Sequence, residues 1–232
     1  MARTSKIDWT DQTLNAITGC TPISPGCDHC YAQKMTRRLK AMGQEKYQHG
    51  FQVTVHPATL SELFLIKEPQ RVFMNSMSDT FHANVPLAFI QDMFQAMGQN
   101  PHLTFQVLTK RADRMAALAP QLTWYPNIWA GVTVENQDHV FRMDFLRQVP
   151  ARRRFVSYEP LISSINDLDL SGIHWGIVGG ETGPGCRPMD LNWARSIRDQ
   201  HITAGIPFFY KNGGGIRNKV KTLDGQAWHQ FP

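Results

Sequence analysis

The chain has 232 residues, of which 42% are hydrophobic and 19% charged, a composition typical of a folded globular protein. It contains no apolar run near the roughly 20 residues that a membrane-spanning helix needs, and its first residues, MARTSKIDWTD, are not those of a secretory signal, so we expect a cytoplasmic protein. The net charge of +5 permits an anionic partner such as nucleic acid, but the excess is too modest to establish one.

The first part of the chain predicts a strand followed by a cysteine-rich loop. The strand covers about residues 13–18 and leads into GCTPISPGCDHCYAQK, residues 19–34, which holds three of the four cysteines. Cys20, Cys27 and Cys30 have the spacing CxxxxxxCxxC, and a helix is predicted to begin near Cys27. Because thiols stay reduced in the cytosol, such a cluster favours metal binding or catalysis over disulfide bonds.

The number of cysteines in this loop leaves two kinds of metal site open. Structural zinc normally has four protein ligands, so the set is one ligand short unless His29 or Cys186 joins it. An iron–sulfur cluster held by three cysteines leaves one iron open to a substrate or cofactor. A set of three therefore indicates chemistry more than a structural role.

Six further apolar, β-rich segments follow, and most are separated by stretches with helical spacing. They are RVFMNSM from Arg71, LTFQVLT from Leu103, NIWAGVTV from Asn127, RRFVSYE from Arg153, HWGIVGG from His174 and IPFFYK from Ile206. Helices are predicted at PLAFIQDMFQAMGQN from Pro86 and at QDHVFRMDFLRQV from Gln137, where apolar residues recur every three or four positions. Apolar strands that alternate with helices form parallel sheets covered by those helices.

The sequence therefore predicts an α/β protein with a full or partial β/α barrel of about six to seven parallel strands. No repeat or long linker interrupts the pattern. We expect a single domain over residues 1–232, with a short C-terminal extension from about residue 211.

Polar residues follow every predicted strand. The set consists of Asn75, Ser76, Ser78 and Asp79; Thr109, Lys110 and Arg111; Thr133 and Glu135; Ser157 and Glu159; Gly179, Gly180 and Glu181; and Lys211 and Asn212. The carboxyl ends of the strands face the active-site mouth of a β/α barrel. Any single member of the set is as readily an ordinary loop residue, but together they predict an active site at this edge.

The cysteine motif resembles that of the radical S-adenosylmethionine (SAM) superfamily, whose members carry three cysteines on the loop after the first barrel strand. Asp28 and His29 separate the last two cysteines here, so His29 takes the position of the usual aromatic residue. The wider set of segments is similar to the three-Cys-motif proteins common on phage genomes and mobile elements, over nearly the whole chain. These segments are WTDQTLNAITGCTPISPGCDHCYA, VFMNSMSDTFH, LTKRADRM, GVTVENQ, SYEPL and GGETGPGCRPM.

Two features depart from the family pattern. Six residues separate Cys20 from Cys27, whereas three are commonest in the superfamily, so the loop must take a wider path around a cluster. Cys186 stands where alanine or another small residue is expected. We interpret Cys186 as a small buried thiol, in preference to a catalytic or auxiliary role.

The resemblance implies a radical SAM enzyme in which Cys20, Cys27 and Cys30 hold a [4Fe–4S] cluster and SAM chelates the fourth iron. One electron from an external donor would pass through the cluster and cleave SAM to methionine and a 5′-deoxyadenosyl radical. The radical would then abstract hydrogen from a substrate that the sequence does not identify. The cofactors supply this chemistry, and the protein positions them and excludes water and oxygen.

Roles in binding SAM follow from the position of each residue in the family pattern and from its chemistry. The candidates are Ser76, Ser78 and Asp79 for the amino group; Lys110 or Arg111 for the carboxylate; Glu135 or Ser157 for the ribose; the backbone of residues 177–179, including Gly179, for adenine; and His29 beside the cluster.

Basic segments make a nucleotide or nucleic acid a plausible substrate. They are TKRADR from Thr109, ARRRF from Ala151, and the tail with Lys211, Arg217, Lys219 and Lys221, which would line a mouth that accepts phosphate. Solvated surface charge is an equally good interpretation of them. The alternative function is a non-catalytic, zinc- or cluster-stabilised nucleic-acid-binding protein with Cys186 or His29 as the fourth ligand, but that protein would not need the polar strand ends.

Overall fold

The computed structural model describes residues 3–216 and 220–232. The strands within them are β1 (Arg3–Thr4), β2 (Gln12–Leu14), β3 (Ile17–Thr18), β4 (Thr54–Val55), β5 (Arg71–Met74), β6 (Thr104–Thr109), β7 (Ile128–Thr133), β8 (Arg153–Tyr158), β9 (Trp175–Gly179) and β10 (Phe208–Asn212). The α-helices are α1 (Tyr31–Ala41), α2 (Leu87–Gly98), α3 (Ala112–Leu118), α4 (Arg142–Arg147) and α5 (Leu191–Thr203). Short 3₁₀ segments occupy Pro25–Cys27, Glu45–Tyr47, Pro57–Leu65, Ala119–Gln121 and Gln137–His139.

The main sheet has the strand order β1-β2-β5-β6-β7-β8-β9-β10. Across the described residues, β2 and β5 to β10 make seven parallel strands, and β1 lies antiparallel at the edge. The seven strands curl into a half-barrel with the helices around it. The predicted partial β/α barrel is thus confirmed, and each of the six predicted segments from Arg71 onward contains one of its strands.

The outer face of the sheet carries the main hydrophobic core. Because successive strand residues point to opposite faces, Phe105 and Val107 of β6 face outward, where they share a core with Ile90 and Phe94 of α2. All four side chains are at most 1% exposed. The helix predicted from Pro86 therefore forms, and its apolar face covers the sheet as the periodicity indicates.

Three predicted elements differ from the structure in their bounds. The first strand is split, since residues 12–14 join the main sheet whereas residues 17–18 pair with β4 in a separate ribbon. The helix expected near Cys27 begins at Tyr31, after a 3₁₀ turn at Pro25–Cys27. The helix from Gln137 is also divided into a 3₁₀ turn and α4. Phe141 lies at that junction and is exposed instead of buried.

The concave face is filled at its amino end by an aromatic floor, which we define as Trp9, Phe73, Phe155, Trp175 and Phe209. These five side chains form one buried cluster, in which Trp9 packs against Phe73 with ring centroids 4.7 Å apart. Aromatic pairs at such distances add to the free energy gained from burial. Trp9 and Trp175 are therefore core residues and not platforms for a base.

The C-terminal segment covers the aromatic floor on the side away from the carboxyl edge of the sheet. The indole Nε1 of Trp175 donates to the carbonyl of Gln230 over 2.8 Å. The rings of Phe231 and Trp175 pack at a tilt with centroids 5.2 Å apart, and His229 stacks on Phe209 at 4.8 Å. The last residues of the tail thus cap the half-barrel at the end opposite the carboxyl edge. No helix among the described residues has the length and apolarity needed to cross a membrane.

Candidate functional site

The cysteine loop, residues 19–30, lies at the carboxyl edge of the sheet between β3 and α1. It starts from Gly19, whose φ of +84° is in the left-handed region and whose amide donates to the Met77 carbonyl over 3.1 Å. A Cβ at this position would lie 2.1 Å from the carbonyl oxygen of Gln52. Only glycine fits such a close approach of backbone to backbone. The sequence therefore sets where the loop leaves the sheet.

The three cysteines of the loop are all half-buried, and none forms a disulfide. In residues 3–216 and 220–232, no three Cys, His, Asp or Glu side chains converge closely enough to hold a single metal ion. A cubane cluster takes each thiolate at a separate corner, so its ligands need not meet at one point. Three accessible thiols on one short loop are soft ligands of the kind that iron–sulfur clusters take.

Arg111 fastens the first limb of the loop. Its guanidinium donates to the carbonyl and hydroxyl of Thr21, over 2.9 and 3.1 Å, and lies 3.4 Å from the sulfur of Cys20. The same group forms an ion pair with buried Asp79 at 3.1 Å. Burial, reinforced by Asp79, raises the pKa of the Cys20 thiol even though Arg111 opposes the shift. Arg111 thus places a cation beside a predicted cluster ligand.

Arg187 fastens the second limb from the other side of the mouth. Its guanidinium donates to the Pro25 carbonyl over 2.8 Å and to Asp28 over 3.3 Å. It also holds the carboxylate of Glu181, with contacts of 2.6 and 3.1 Å. Burial alone would raise the pKa of Glu181, but the hydrogen bonds from Arg187 hold it below its usual value. The loop is therefore tied to the ends of both β6 and β9.

Glu135 lies directly beneath the middle of the loop. Its side chain is fully buried, and a Cβ added at Gly26 would be 3.1 Å from its Oε1. Arg142 donates to Oε2 over 2.6 Å, whereas Oε1 has no hydrogen-bond partner among the described residues. Burial raises the pKa of Glu135, but Lys110 and Arg142 outweigh it and hold the pKa below the usual value. An ionised carboxylate thus lies under the loop, and the hydroxyl of Ser24 on the loop helps to lower its pKa.

The predicted contacts for the SAM amino group have partners within the protein. Ser76 donates to Asn15 over 3.2 Å, and Ser78 donates to the Ile17 carbonyl over 2.9 Å. Asp79 accepts from Thr109 over 2.6 Å, besides its ion pair with Arg111. The tyrosine hydroxyl of α1, Tyr31, donates to the Ser76 carbonyl. These side chains build the loop after β5, and their contacts with SAM remain predictions.

A second charged pair lies inside the mouth, above the aromatic floor. Glu159 accepts from Lys211 over 2.8 Å, from Ser157 over 3.2 Å and from the indole of Trp9 over 3.3 Å. Gly179 is buried beside this carboxylate, and a Cβ there would be 2.4 Å from Oε1. Ser157 and Gly179 are therefore brought together as the strand ends predict, with Glu159 between them.

His29 lies against the loop that follows β9, and Cys186 is part of that loop. A Cβ at Gly185 would be 3.5 Å from the His29 ring, so this ring lies against the segment that precedes Cys186. Cys186 is half-buried, whereas a small buried thiol is expected from the sequence. This loop is at the surface, and the contacts of Arg187 with Glu181 hold it in place.

Sequence reasoning missed Arg187 and the role of Glu159 as an acceptor for three side chains. Both occur in quoted segments, GCRPM and SYEPL, but their partners are distant in sequence. Arg187 contacts Asp28 and Pro25 about 160 residues away. Such pairs cannot be found from the spacing of residues, although a glutamate following a buried strand is itself a usable signal.

The basic segments do not all lie at the mouth, which corrects the prediction that they line it together. Lys110 and Arg111 follow β6 at the carboxyl edge, but Arg152 and Arg153 lie at the amino end of β8. Because β6 and β8 run in the same direction, residues that follow β6 and residues that precede or begin β8 lie at opposite ends of the sheet. In the tail, Lys211 points into the mouth, Lys221 pairs with Asp8 at 2.8 Å, and Arg217 and Lys219 lie outside the described residues.

Solved structures of spore photoproduct lyase, a radical SAM enzyme, resemble this chain. The structure with the dinucleoside spore photoproduct has a TM-score of 0.53 at 12% identity, covering 87% of this chain and 63% of that one. One with bound AdoMet and that dinucleoside has a TM-score of 0.54 at 11% identity, covering 87% and 64%. A further variant has a TM-score of 0.56 at 12% identity, covering 95% and 79%.

The chain therefore spans less than two thirds of the length of the first two structures. At this identity the likeness shows the fold alone, a half-barrel that those lyase structures share. No curated protein matches the chain. A family model described as "Protein of unknown function (DUF5131)" matches residues 4–232.

Proposed function

The chain belongs to the DUF5131 family, and we propose that it is a radical SAM enzyme whose Cys20, Cys27 and Cys30 hold a [4Fe–4S] cluster. The observation that carries the proposal is the placement of three free thiols on one pinned loop at the carboxyl edge of a half-barrel. That edge is where β/α barrels place their active sites. The shared fold with radical SAM enzymes supports the same assignment.

The residues around the loop are arranged to hold such a cluster. When bound, the cluster supplies the electron that cleaves SAM. Arg111 places a positive charge 3.4 Å from the Cys20 sulfur, which partly offsets the burial that disfavours the thiolate form that metal binding requires. Arg111 and Arg187 hold the two limbs of the loop, so the wide spacing between Cys20 and Cys27 does not leave the loop free to move.

SAM would lie in the mouth between the cysteine loop and the pair formed by Glu159 and Lys211. Lys110 has no ion pair within the described residues and is half-buried, so it is better placed than the engaged Arg111 to receive the SAM carboxylate. Ser157 would offer its hydroxyl to the ribose, and the backbone at Gly179 permits a flat ring to approach closely. Glu135, predicted as a ribose contact, is buried beneath Gly26, so its negative charge would act on the ligand from below the loop.

We further propose a nucleotide or nucleic acid as substrate and an external protein as electron donor. The substrate class is supported by the dinucleoside bound in the similar lyase structures and by the net charge of +5. The resemblance to phage-type three-Cys-motif proteins, the cytoplasmic location and the single-domain organisation stay predictions from the sequence.

The test is purification without exposure to air, followed by iron and sulfide analysis and EPR spectroscopy of the reduced protein. We expect about four irons per chain and a signal that changes when SAM is added. Incubation with SAM and a reductant should then yield 5′-deoxyadenosine, measured by mass spectrometry. Stoichiometric zinc without iron would contradict the proposal and favour the non-catalytic, zinc-stabilised nucleic-acid-binding protein instead.

A further inference from the structure

Helix α1 presents a group of cations that the protein itself does not neutralise. We define the basic stripe as Lys34, Arg37, Arg38 and Lys40, all of which are exposed. The helix contains no acidic residue. Within the described residues, Arg37, Arg38 and Lys40 form no ion pair, and Lys34 contacts only a neutral group, the Pro184 carbonyl at 3.0 Å.

The arginines elsewhere in the described chain are used differently. Seven of them form ion pairs with carboxylates, namely Arg71, Arg111, Arg142, Arg147, Arg187, Arg195 and Arg198. Arg114 and Arg154 donate to backbone carbonyls instead. Arg152 and Arg153, at the amino end of β8, also form no ion pair within the described residues. What distinguishes α1 is that it carries four such cations on one helix that begins beside the mouth.

Two members of the basic stripe, Lys34 and Arg38, lie in line with the mouth. Residues three, four and seven apart lie on one side of a helix, so Tyr31, Lys34 and Arg38 form a line along α1. The line starts at the carboxyl edge, because the Tyr31 hydroxyl donates to the Ser76 carbonyl there. Tyr31 is 52% exposed, and Met35, four residues further along the helix, is 42% exposed. Exposed apolar groups therefore lie among the cations.

We propose that the basic stripe binds the phosphodiester backbone of a nucleic acid strand whose reacting nucleotide enters the mouth. This inference rests on the proposed function for the identity of the mouth, but the binding itself needs neither cluster nor SAM. Unpaired cations interleaved with an exposed aromatic ring match a strand that offers both phosphates and bases. An acidic electron-carrier protein would also bind to positive charge, but its binding would not explain why cations extend from α1 toward the mouth.

The experiment measures binding of fluorescein-labelled 20-nucleotide probes to the full-length apoprotein by fluorescence anisotropy, over a series of salt concentrations. Single-stranded DNA, RNA and duplex DNA serve as separate probes. Each phosphate contact on a single strand contributes about 0.7 to the salt slope. R37A/R38A should therefore lower the slope by about 1.4 and weaken binding roughly 25-fold at 0.1 M salt.

The matched control is R152A/R153A, which removes the same charge at the opposite end of the barrel. We expect this variant to bind the probes as the unaltered protein does. Thermal unfolding of both variants establishes that they are folded. Equal losses in the two variants, or no binding of any probe at low salt, would overturn the proposal. In protein reconstituted with iron and sulfide, slower reduction of R37A/R38A by an acidic flavodoxin with probe binding unchanged would also overturn it, because the basic stripe would then be a docking site for an electron donor.

Failure of this proposal and failure of the proposed function give different results. If the basic stripe does not bind nucleic acid, iron content and 5′-deoxyadenosine formation are unaffected. If the chain holds no cluster, the salt-dependent binding of the apoprotein still follows the two arginines of α1. The two measurements therefore report on separate features of the molecule.

Discussion

The two ends of the concave face are built on opposite physical principles. The aromatic floor at the amino end contains five buried aromatic side chains and is sealed by both ends of the chain. The mouth at the carboxyl end contains buried carboxylates, each of which faces an arginine, and a loop with three free thiols. The floor makes the sheet stable, whereas the mouth holds charged groups where burial is costly.

That cost explains why the buried carboxylates of the mouth form ion pairs with arginines. A buried carboxylate without a partner destabilises a protein by several kcal/mol. Asp79, Glu135 and Glu181 are each at most 6% exposed. Arg111, Arg142 and Arg187 neutralise them, and two of these arginines also hold the cysteine loop. These ion pairs therefore offset the cost of burying the carboxylates, and two of them also position the loop.

The largest expected effect is the loss of the cluster when a cysteine of the mouth is replaced, a loss that no substitution in the floor should cause directly. Replacing Cys20, Cys27 or Cys30 with alanine should abolish retention of the cluster, because each thiolate holds one iron corner. The free energy of unfolding of the apoprotein should change by less than about 1 kcal/mol, since all three side chains are half-buried. Iron content and chemical denaturation measure the two effects.

Cys186→Ala is the matched control for these variants. Its side chain is also half-buried, but it lies on the loop after β9 and not on the cysteine loop. We expect it to retain the cluster and to cleave SAM. Loss of the cluster in Cys186→Ala, with retention in Cys20→Ala, would show that the ligand assignment is wrong.

The floor and the mouth also differ in how far the sequence predicts them. Apolar strands alternating with helices predict the half-barrel and the edge where Ser157, Glu135 and Lys110 lie. The pinning of the cysteine loop depends on pairs such as Arg187 with Asp28, which the spacing of residues does not reveal. The basic residues at Arg152 were wrongly placed at the mouth, because their position requires knowing at which end of β8 they lie.

Stability should depend most on the floor. Trp175→Ala removes a fully buried indole and its hydrogen bond to the Gln230 carbonyl, so we expect a loss of about 3–5 kcal/mol in the free energy of unfolding. Phe141→Ala, an exposed aromatic residue on the outer layer, should cost less than about 0.5 kcal/mol. Similar losses in the two variants would show that the floor is not the main source of stability.

The layer behind the floor should make stability depend on pH. Burial lowers the pKa of His201, which packs against Gly176 of β9, to about 4. Between pH 6.5 and pH 4 the unfolded chain binds a proton that folded His201 does not, so stability falls as the pH is lowered, by about 3 kcal/mol. Urea denaturation across this range should show a smaller fall in His201→Gln. Identical pH profiles would contradict the role of His201.

The effect that is most specific for the mouth concerns Arg187. Arg187→Ala leaves the buried Glu181 carboxylate without its main partner, at a cost of about 1–3 kcal/mol. The same change releases Pro25 and Asp28, so backbone amides of residues 20–30 should exchange hydrogen faster in the apoprotein, and iron occupancy after reconstitution should fall.

Arg187→Lys separates charge from geometry at this position. Lysine keeps the positive charge beside Glu181, but an ammonium lacks the planar fork that contacts Glu181, Pro25 and Asp28 together. We therefore expect stability close to that of the unaltered protein but fast exchange in the cysteine loop. Trp175→Ala should give the reverse pattern, with lower global stability and no selective loosening of residues 20–30. If Arg187→Lys instead restores slow exchange, charge alone holds the loop, and the mouth is positioned by electrostatic attraction without a need for directed hydrogen bonds.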